Sequence, residues 1–492
     1  MRALLAATVG SLCTAALIVP LAQPAAAQPA PATELPTRTD TTSAVAAGLA
    51  ASNTATRART ADTGRAERPA RTRTLPLSSL SGKDRAGLTE GGRLGARGVT
   101  SFSMLGVVWD DAEQELADHV EVRTRSGATG RWTGWSELSH HATDAPDPTS
   151  AEGGGVRGST APLWVGESDA VDVRLASGSG SNAELPAGLR LALIDPGTTA
   201  EPAAPVSRGD HATDRANAAN GSAPSGPGKG SAVPRAAVDG KPGGPASGLG
   251  GQAVASSAVN SQLAELGAER IPPEAPRQNL AAPQGGTDAN AEPIGPRPGI
   301  VTRAGWGANE SWREPGFGYT TTVKSAFVHH TAESNNYTCA QAPSVIRSIY
   351  QYHVRSLGWR DIGYNFLVDK CGQIYEGRAG GVAKAVLGAH TYGFNSNTTG
   401  IAVLGSFGST EPPKAAVEGV AKLIAWKLGL HGLNPVGSVT LTSGGGKWPA
   451  GTKVKMRAVA GHRDGFATEC PGAKLYAKLP EIRTLAARLQ GR

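Results

Sequence analysis

The chain has 492 residues, and its 65 Gly and 34 Pro, about a fifth of all positions, exclude a single continuous globule. Its 48 basic against 41 acidic residues give a net charge of +7, and no dense Lys/Arg run interleaves with aromatics, which speaks against nucleic-acid binding. Large apolar side chains must offset the entropy of ordering a chain, and the aromatic residues fall in two windows, 102–164 and 306–476, so folded modules are expected there.

Residues 1–27 read as an export signal. Arg2 supplies the charge, an apolar run follows, and Ala25, Ala26 and Ala27 offer a small-residue cleavage site. Thr8, Gly10, Ser11, Thr14 and Pro20 interrupt the run, which disfavours a membrane anchor, and no later stretch is suited to cross a bilayer. Loss of Cys13 with the signal leaves Cys339, Cys371 and Cys470 in an oxidising compartment, where a pair is expected to close and one thiol to be left over.

Residues 28–98, rich in Ala, Thr, Arg and Pro with no aromatic residue, are expected to be a disordered tether. Over 99–197 short apolar stretches recur between turn residues: Phe102 to Leu105, Val120 and Val122, Leu163 to Val165, Val171 and Val173, and Leu189 to Ile194. That spacing predicts an all-β, sandwich-like accessory domain. Trp132 and Trp135 could form a sugar-stacking platform, but burial in the β core is the favoured reading. His140 and His141, with Asp144 and Asp147, could hold a metal but are read as a solvated loop. Residues 198–298 return to Ala, Gly, Pro and Ser and are expected to be a flexible linker, with a helical patch at 257–270 too thin to pack alone.

From 299 to 492 strand and helix signals alternate. Residues 323–330 read as a buried strand. Pro343 suits a first helical turn, and Val345, Ile346, Ile349, His353 and Leu357 then recur at helical spacing until Gly358. Residues 365–369 and 374–375 flank Lys370-Cys371-Gly372-Gln373 as a hairpin; 401–404 is a further strand, 413–428 a long helix and 474–489 a closing helix. The expected fold class is α/β, a mixed sheet flanked by helices.

His462 and Cys470 stand eight apart in a Gly/Pro-punctuated loop, and far upstream a strand ends in His329-His330-Thr331, at a strand end where sites are built. Two neutral imidazoles and one thiolate would leave a bound Zn²⁺ with a net charge of about +1 and an open fourth position, as hydrolytic zinc sites need. Spacing alone leaves a buried structural cysteine and two ordinary histidines as the competing reading, because H-x7-C is not a specific motif.

Five segments together resemble, in order, the peptidoglycan recognition protein family, whose fold is shared by the type-2 N-acetylmuramoyl-L-alanine amidases and phage T7 lysozyme. They are Phe327-Val328-His329-His330-Thr331, Gly358 to Phe366, Ile374 to Arg378, Gly388-Ala389-His390, and Gly461 to Asp464 with Thr468 to Gly472. The resemblance covers about residues 299–478. It implies Zn²⁺ as cofactor, His329, His462 and Cys470 as ligands, and Tyr364 hydrogen-bonding beside the metal. The implied reaction is hydrolysis of the amide between N-acetylmuramic acid and L-alanine of peptidoglycan, by a secreted, cell-wall-associated protein with no membrane span in the mature chain. A monomer is favoured.

Thr468 is expected to supply polarity near the metal. Where cytosolic relatives place a Glu in a Gly-Ile-Glu strand, this chain has Gly400-Ile401-Ala402, so the general base stays open among Tyr364, Glu376 and hydroxide at the metal. Glu376 reads equally as a structural carboxylate paired to Arg378. By itself His353 reads as a satisfied core histidine; beside the family, it and His390 resemble groove residues that contact the muramyl peptide, with His330, Trp359 and Arg378 as further groove candidates. Cys339 and Cys371 are expected to form a disulfide worth roughly 3 to 4 kcal/mol. The competing functions are non-catalytic peptidoglycan binding, and a Cys470 nucleophile paired with His462.

Overall fold

The computed structural model describes residues 68–77, 93–198 with breaks at 115, 117–118, 140–143, 149, 151 and 177–184, then 264, 267–274 and 293–492. The export signal expected at 1–27, with most of the expected tether, linker and 257–270 patch, lies outside the described residues. No helix among the described residues is long and apolar enough to cross a membrane.

The β-rich part is built from β1 (Arg71–Pro76), β2 (Arg93–Trp109), β3 (His119–Ser126), β4 (Ser136–Leu138), β5 (Gly158–Ser159), β6 (Leu163–Ala176) and β7 (Arg190–Asp195). They form one antiparallel sheet in the order β1-β7-β2-β6-β3-β4, with β5 paired to β2. β1 falls inside the span read as a tether. Its Thr/Arg-rich sequence hides an edge strand, because pairing with β7 supplies main-chain hydrogen bonds and demands few apolar side chains. Alternation along β2 decides which way each side chain faces. Leu105, Val107 and Trp109 join Val120, Val122, Val171 and Val173 in the sheet's own core, while Met104 and Val108 turn the other way. Trp132 and Trp135 are not in that core. Arg123 stacks on both at 5.2 and 4.9 Å and Arg174 stacks on Trp135 at 4.3 Å, so the rings that the core was expected to bury lie against guanidinium groups, Trp135 half-buried and Trp132 exposed.

The second sheet contains β8 (Arg270–Ile271), β9 (Ile300–Val301), β10 (Ser325–His330), β11 (Phe366–Val368), β12 (Ile374–Glu376), β13 (Thr398–Val403) and β16 (Val459–Gly461), in the order β16-β10-β13-β11-β12-β9-β8. β16, β10, β13 and β11 run parallel, and β11 and β12 form the predicted hairpin. β14 (Ser438–Thr442) and β15 (Lys453–Arg457) make a separate hairpin that the sequence reading missed. The helices are α1 (Arg303–Trp306), α2 (Ala342–Gln351), α3 (Lys414–Gly429), α4 (His462–Gly465), α5 (Ala473–Ala477) and α6 (Leu479–Leu489). The single closing helix expected over 474–489 is two, because Pro480 in the first turn of α6 lacks the N–H that would continue α5.

The helices cover both faces of the sheet. Val417, Val420, Leu423 and Ile424 of α3 pack on Val328, Phe366, Ile401 and Val403. Val345, Ile346 and Ile349 of α2 belong to the opposite core with Leu367, Tyr375 and Ala402. Cys339 and Cys371 are joined by a disulfide that ties the approach to α2 to the β11–β12 turn.

The β-rich sheet docks on α2. Met104, Val108, Trp164, Ala192 and Ile194 share one apolar cluster with the α2 side chains. Tyr352, just past α2, sets its hydroxyl 3.2 Å from the Val107 carbonyl and 3.0 Å from that of Thr160. Gly106 allows this approach, since a Cβ there would stand 2.5 Å from the Tyr352 hydroxyl.

Candidate metal centre

Val328 of β10 and Gly461 of β16 are register partners, so two neighbouring parallel strands deliver His329 and His462 side by side at their C-terminal ends. The chain from His462 to Cys470 is drawn closed by Arg463 N–H donating to the Cys470 carbonyl at 3.0 Å. Thr468 Oγ1 accepts from Cys470 N–H at 3.2 Å, so Thr468 shapes the turn that holds the sulfur. Gly472, at φ 86°, then lets the chain pass Phe407, whose carbonyl carbon would lie 2.4 Å from any Cβ.

Cys470 Sγ lies 3.7 Å from His329 Nδ1, and the His329 and His462 rings stand 4.6 Å apart. The fourth side chain comes from the β-rich part: Asp144 Oδ1 is 3.1 Å from His329 Nδ1 and 2.8 Å from His462 Nδ1. One donor atom from each of Asp144, His329, His462 and Cys470 lies within 4.8 Å of the others, and all four residues are buried. Asp144 was read as part of a solvated loop; nothing in its local composition shows that another module buries it.

These residues fit a metal ion. Neither ring nitrogen of His462 makes a hydrogen bond, although Nδ1 is 2.8 Å from a carboxylate oxygen, so donor lone pairs converge without hydrogen-bond alignment. Burial, reinforced by Asp144, pushes the Cys470 thiol well above its usual range. A bare thiolate would be costly there, and a divalent cation reverses that preference. Nitrogen and sulfur donors of this kind suit Zn²⁺ and similar borderline metals.

Tyr364 stands beside the cluster, its ring 5.5 Å from His329 and its hydroxyl donating to Asp144 Oδ2 at 2.9 Å. His390, expected in the groove, is fully buried behind His329. Burial and the neighbouring histidines hold its pKa well below the imidazole range, and its Nδ1 is 3.2 Å from His329 Nε2. With a metal on His329 Nδ1, the His329 Nε2 proton would face His390 Nδ1, a contact that would hold the ring in the tautomer presenting Nδ1 to the cluster. His353 accepts from Gly363 N–H at 3.1 Å and lies 4.2 Å from the Trp359 ring. Both line a cavity of about 20 Å³ with Asp144 and Tyr364. His330, Thr468 and Cys470 reach a cleft of about 1440 Å³ whose other wall includes Pro146 and Val156.

Glu376 is not at the cluster. It pairs with Phe366 on the face that packs α3, whereas His329, Ala402 and Leu367 are in register on the other face. Nor is it paired to Arg378: its carboxylate accepts from Arg303 N–H at 3.1 Å, and Arg378 pairs with Glu152 at 2.8 Å. The sequence reading missed Glu333, a buried carboxyl pushed well up by desolvation that lines the small cavity with Tyr364. Its only sequence signal was its place four residues after His329.

Residues 319–473 match the N-acetylmuramoyl-L-alanine amidase family, and residues 58–209 match the Rv3811 N-terminal galactose-binding domain-like family. Peptidoglycan-recognition protein SC2 of Drosophila simulans is 31% identical over 185 residues, 38% of this chain and 85% of that relative. Peptidoglycan-recognition protein SC1a of Drosophila melanogaster is 32% identical over 180 residues, 37% of this chain and 83% of that relative. Among solved structures, wild-type Drosophila PGRP-LB is 25% identical, covering 37% of this chain and 91% of that one, with a TM-score of 0.30. The segments quoted above lie largely within these matches, and the chain belongs to the peptidoglycan recognition protein and type-2 amidase family.

Proposed function

We propose that this chain is a secreted, zinc-dependent N-acetylmuramoyl-L-alanine amidase that hydrolyses the amide joining N-acetylmuramic acid to L-alanine in peptidoglycan. The observation that carries this reading is the convergence of His329, His462 and Cys470, with Tyr364 beside them, in an amidase-family chain. Zinc bound there would polarise the scissile carbonyl and make water a stronger nucleophile at neutral pH.

The chain's own groups do the rest. His390 orients His329, and Thr468 holds the Cys470 turn. The Tyr364 hydroxyl is a donor aimed at the cluster, placed to stabilise negative charge developing on the carbonyl oxygen. With Ala402 opposite His329 and Glu376 behind the sheet, Glu333 is a carboxyl in the cavity beside Tyr364, apart from the cluster's own Asp144, that could exchange a proton. We read the β-rich module, the tether and the linker as parts that place this domain at the wall. Mass spectrometry of wall digests, coupled with metal analysis, tests the reading: free stem peptides and bound zinc are expected. Wall left uncut by the zinc-loaded chain, both unmodified and carrying Asp147→Asn with Glu152→Gln, would refute it.

A further inference from the structure

Asp144 belongs to the connection between β4 and β5, yet its carboxylate sits among three donors of the other module. Zinc sites that act on a substrate keep one position open, whereas four protein donors make a closed site. Two imidazoles, a thiolate and a carboxylate also cancel the charge of a divalent cation, which favours the closed form in a buried setting.

The same connection is fastened beyond Asp144. Asp147 Oδ1 accepts from Gly393 N–H at 2.6 Å and from Asn395 Nδ2 at 3.0 Å. Asn395 Nδ2 also donates to the Ala145 carbonyl at 2.9 Å. Glu152 pairs with Arg378 at 2.8 Å, and Arg157 donates to the carbonyls of Leu357 and Ser356 at 3.1 and 2.9 Å. Arg378, and the turn that leads into Trp359, are thereby covered by the chain itself.

We propose that the chain as folded is latent: Asp144 is the metal's fourth ligand, and Asp147, Glu152 and Arg157 hold the described residues of its connection, 144–148, 150 and 152–157, over Arg378 and the turn into Trp359 where the substrate would lie. Substrate enters only after this connection withdraws. The identity of the occluded substrate rests on the amidase reading; the ligation by Asp144 does not.

Cobalt(II) titration of the full chain, followed by visible absorption, tests the ligation. Asp144→Ala should bind cobalt at least about 10-fold more weakly with a changed spectrum, since a donor is lost. Identical binding curves and spectra would overturn it. A second variant, Asp147→Asn with Glu152→Gln, keeps all four donors but loosens the connection. It should retain cobalt affinity within a few-fold and release stem peptides from purified wall at least about 10-fold faster than the unmodified chain. Equal release by the two would overturn latency. A cobalt shift with no peptide release from any variant would remove the amidase reading and leave Asp144 as a ligand.

Discussion

Cys470 is useful at this centre only as a thiolate, and its burial opposes that form unless a cation shares the site. Cys470→Ser is therefore expected to weaken metal binding by more than about 100-fold, read by equilibrium dialysis with metal analysis, and to stop stem-peptide release. Metal retained at the unmodified level would contradict the ligand assignment. Glu376 shows a different kind of buried acid. Desolvation pushes its pKa up to about 7 from 4.5, against the opposing pull of the Arg303 main-chain N–H. The stability associated with its neutral form is full below pH 4.5 and is lost as pH rises towards about 7, on the order of 3 kcal/mol in all. Glu376→Gln should lose that decline, so the Tm difference between variant and unmodified chain grows from pH 4.5 to 7 and then levels. A constant difference would count against a buried, uncharged Glu376.

Strand pairing and helix docking carry these side chains into place. β10 and β16 bring His329 and His462 together because Val328 and Gly461 share a register position, and a shift of one residue would turn His329 towards α3. The disulfide between Cys339 and Cys371, 32 residues apart, restrains the approach to α2. Replacing both cysteines by Ser should cost roughly 3 kcal/mol in chemical denaturation, with little change in metal content. Docking of the β-rich sheet depends on the bare backbone at Gly106. Gly106→Val forces the Tyr352 ring away, and a loss of about 1 to 3 kcal/mol is expected. Hydrogen exchange should then rise in β2 and β5 while β13 stays protected; uniform behaviour of the two sheets would argue against a separable interface.

Across the molecule, four donors from three distant stretches and two modules meet at one point, so a bound ion stabilises the arrangement as a whole. Chelation is expected to lower Tm and to restore it on zinc addition, whereas an unchanged Tm would show that the cluster folds without an ion. Much of the α/β module was legible in the chain because its signals are local. Residues 323–330 are apolar enough to mark β10, Pro343 and the following periodicity mark α2, and Gly461 to Gly472 crowd turn formers around His462 and Cys470. His329, His462, Cys470 and Tyr364 were singled out only through the resemblance of several segments together to the peptidoglycan recognition protein family, because residue chemistry and spacing alone left ordinary histidines and a buried cysteine as the competing reading. β1 stayed hidden because an edge strand draws its stability from a partner more than a hundred residues away, which leaves no periodic trace in Arg71–Pro76. The surroundings of Glu376 and His390 were not legible for a related reason: which side of a sheet a residue faces, and what lies behind it, depends on strands that are not its neighbours in sequence. Asp144 is the fullest case. Its meaning comes entirely from the docking of one sheet on α2, an apolar contact between stretches far apart in the chain, and no local pattern records where a carboxylate carried by that docking will come to rest.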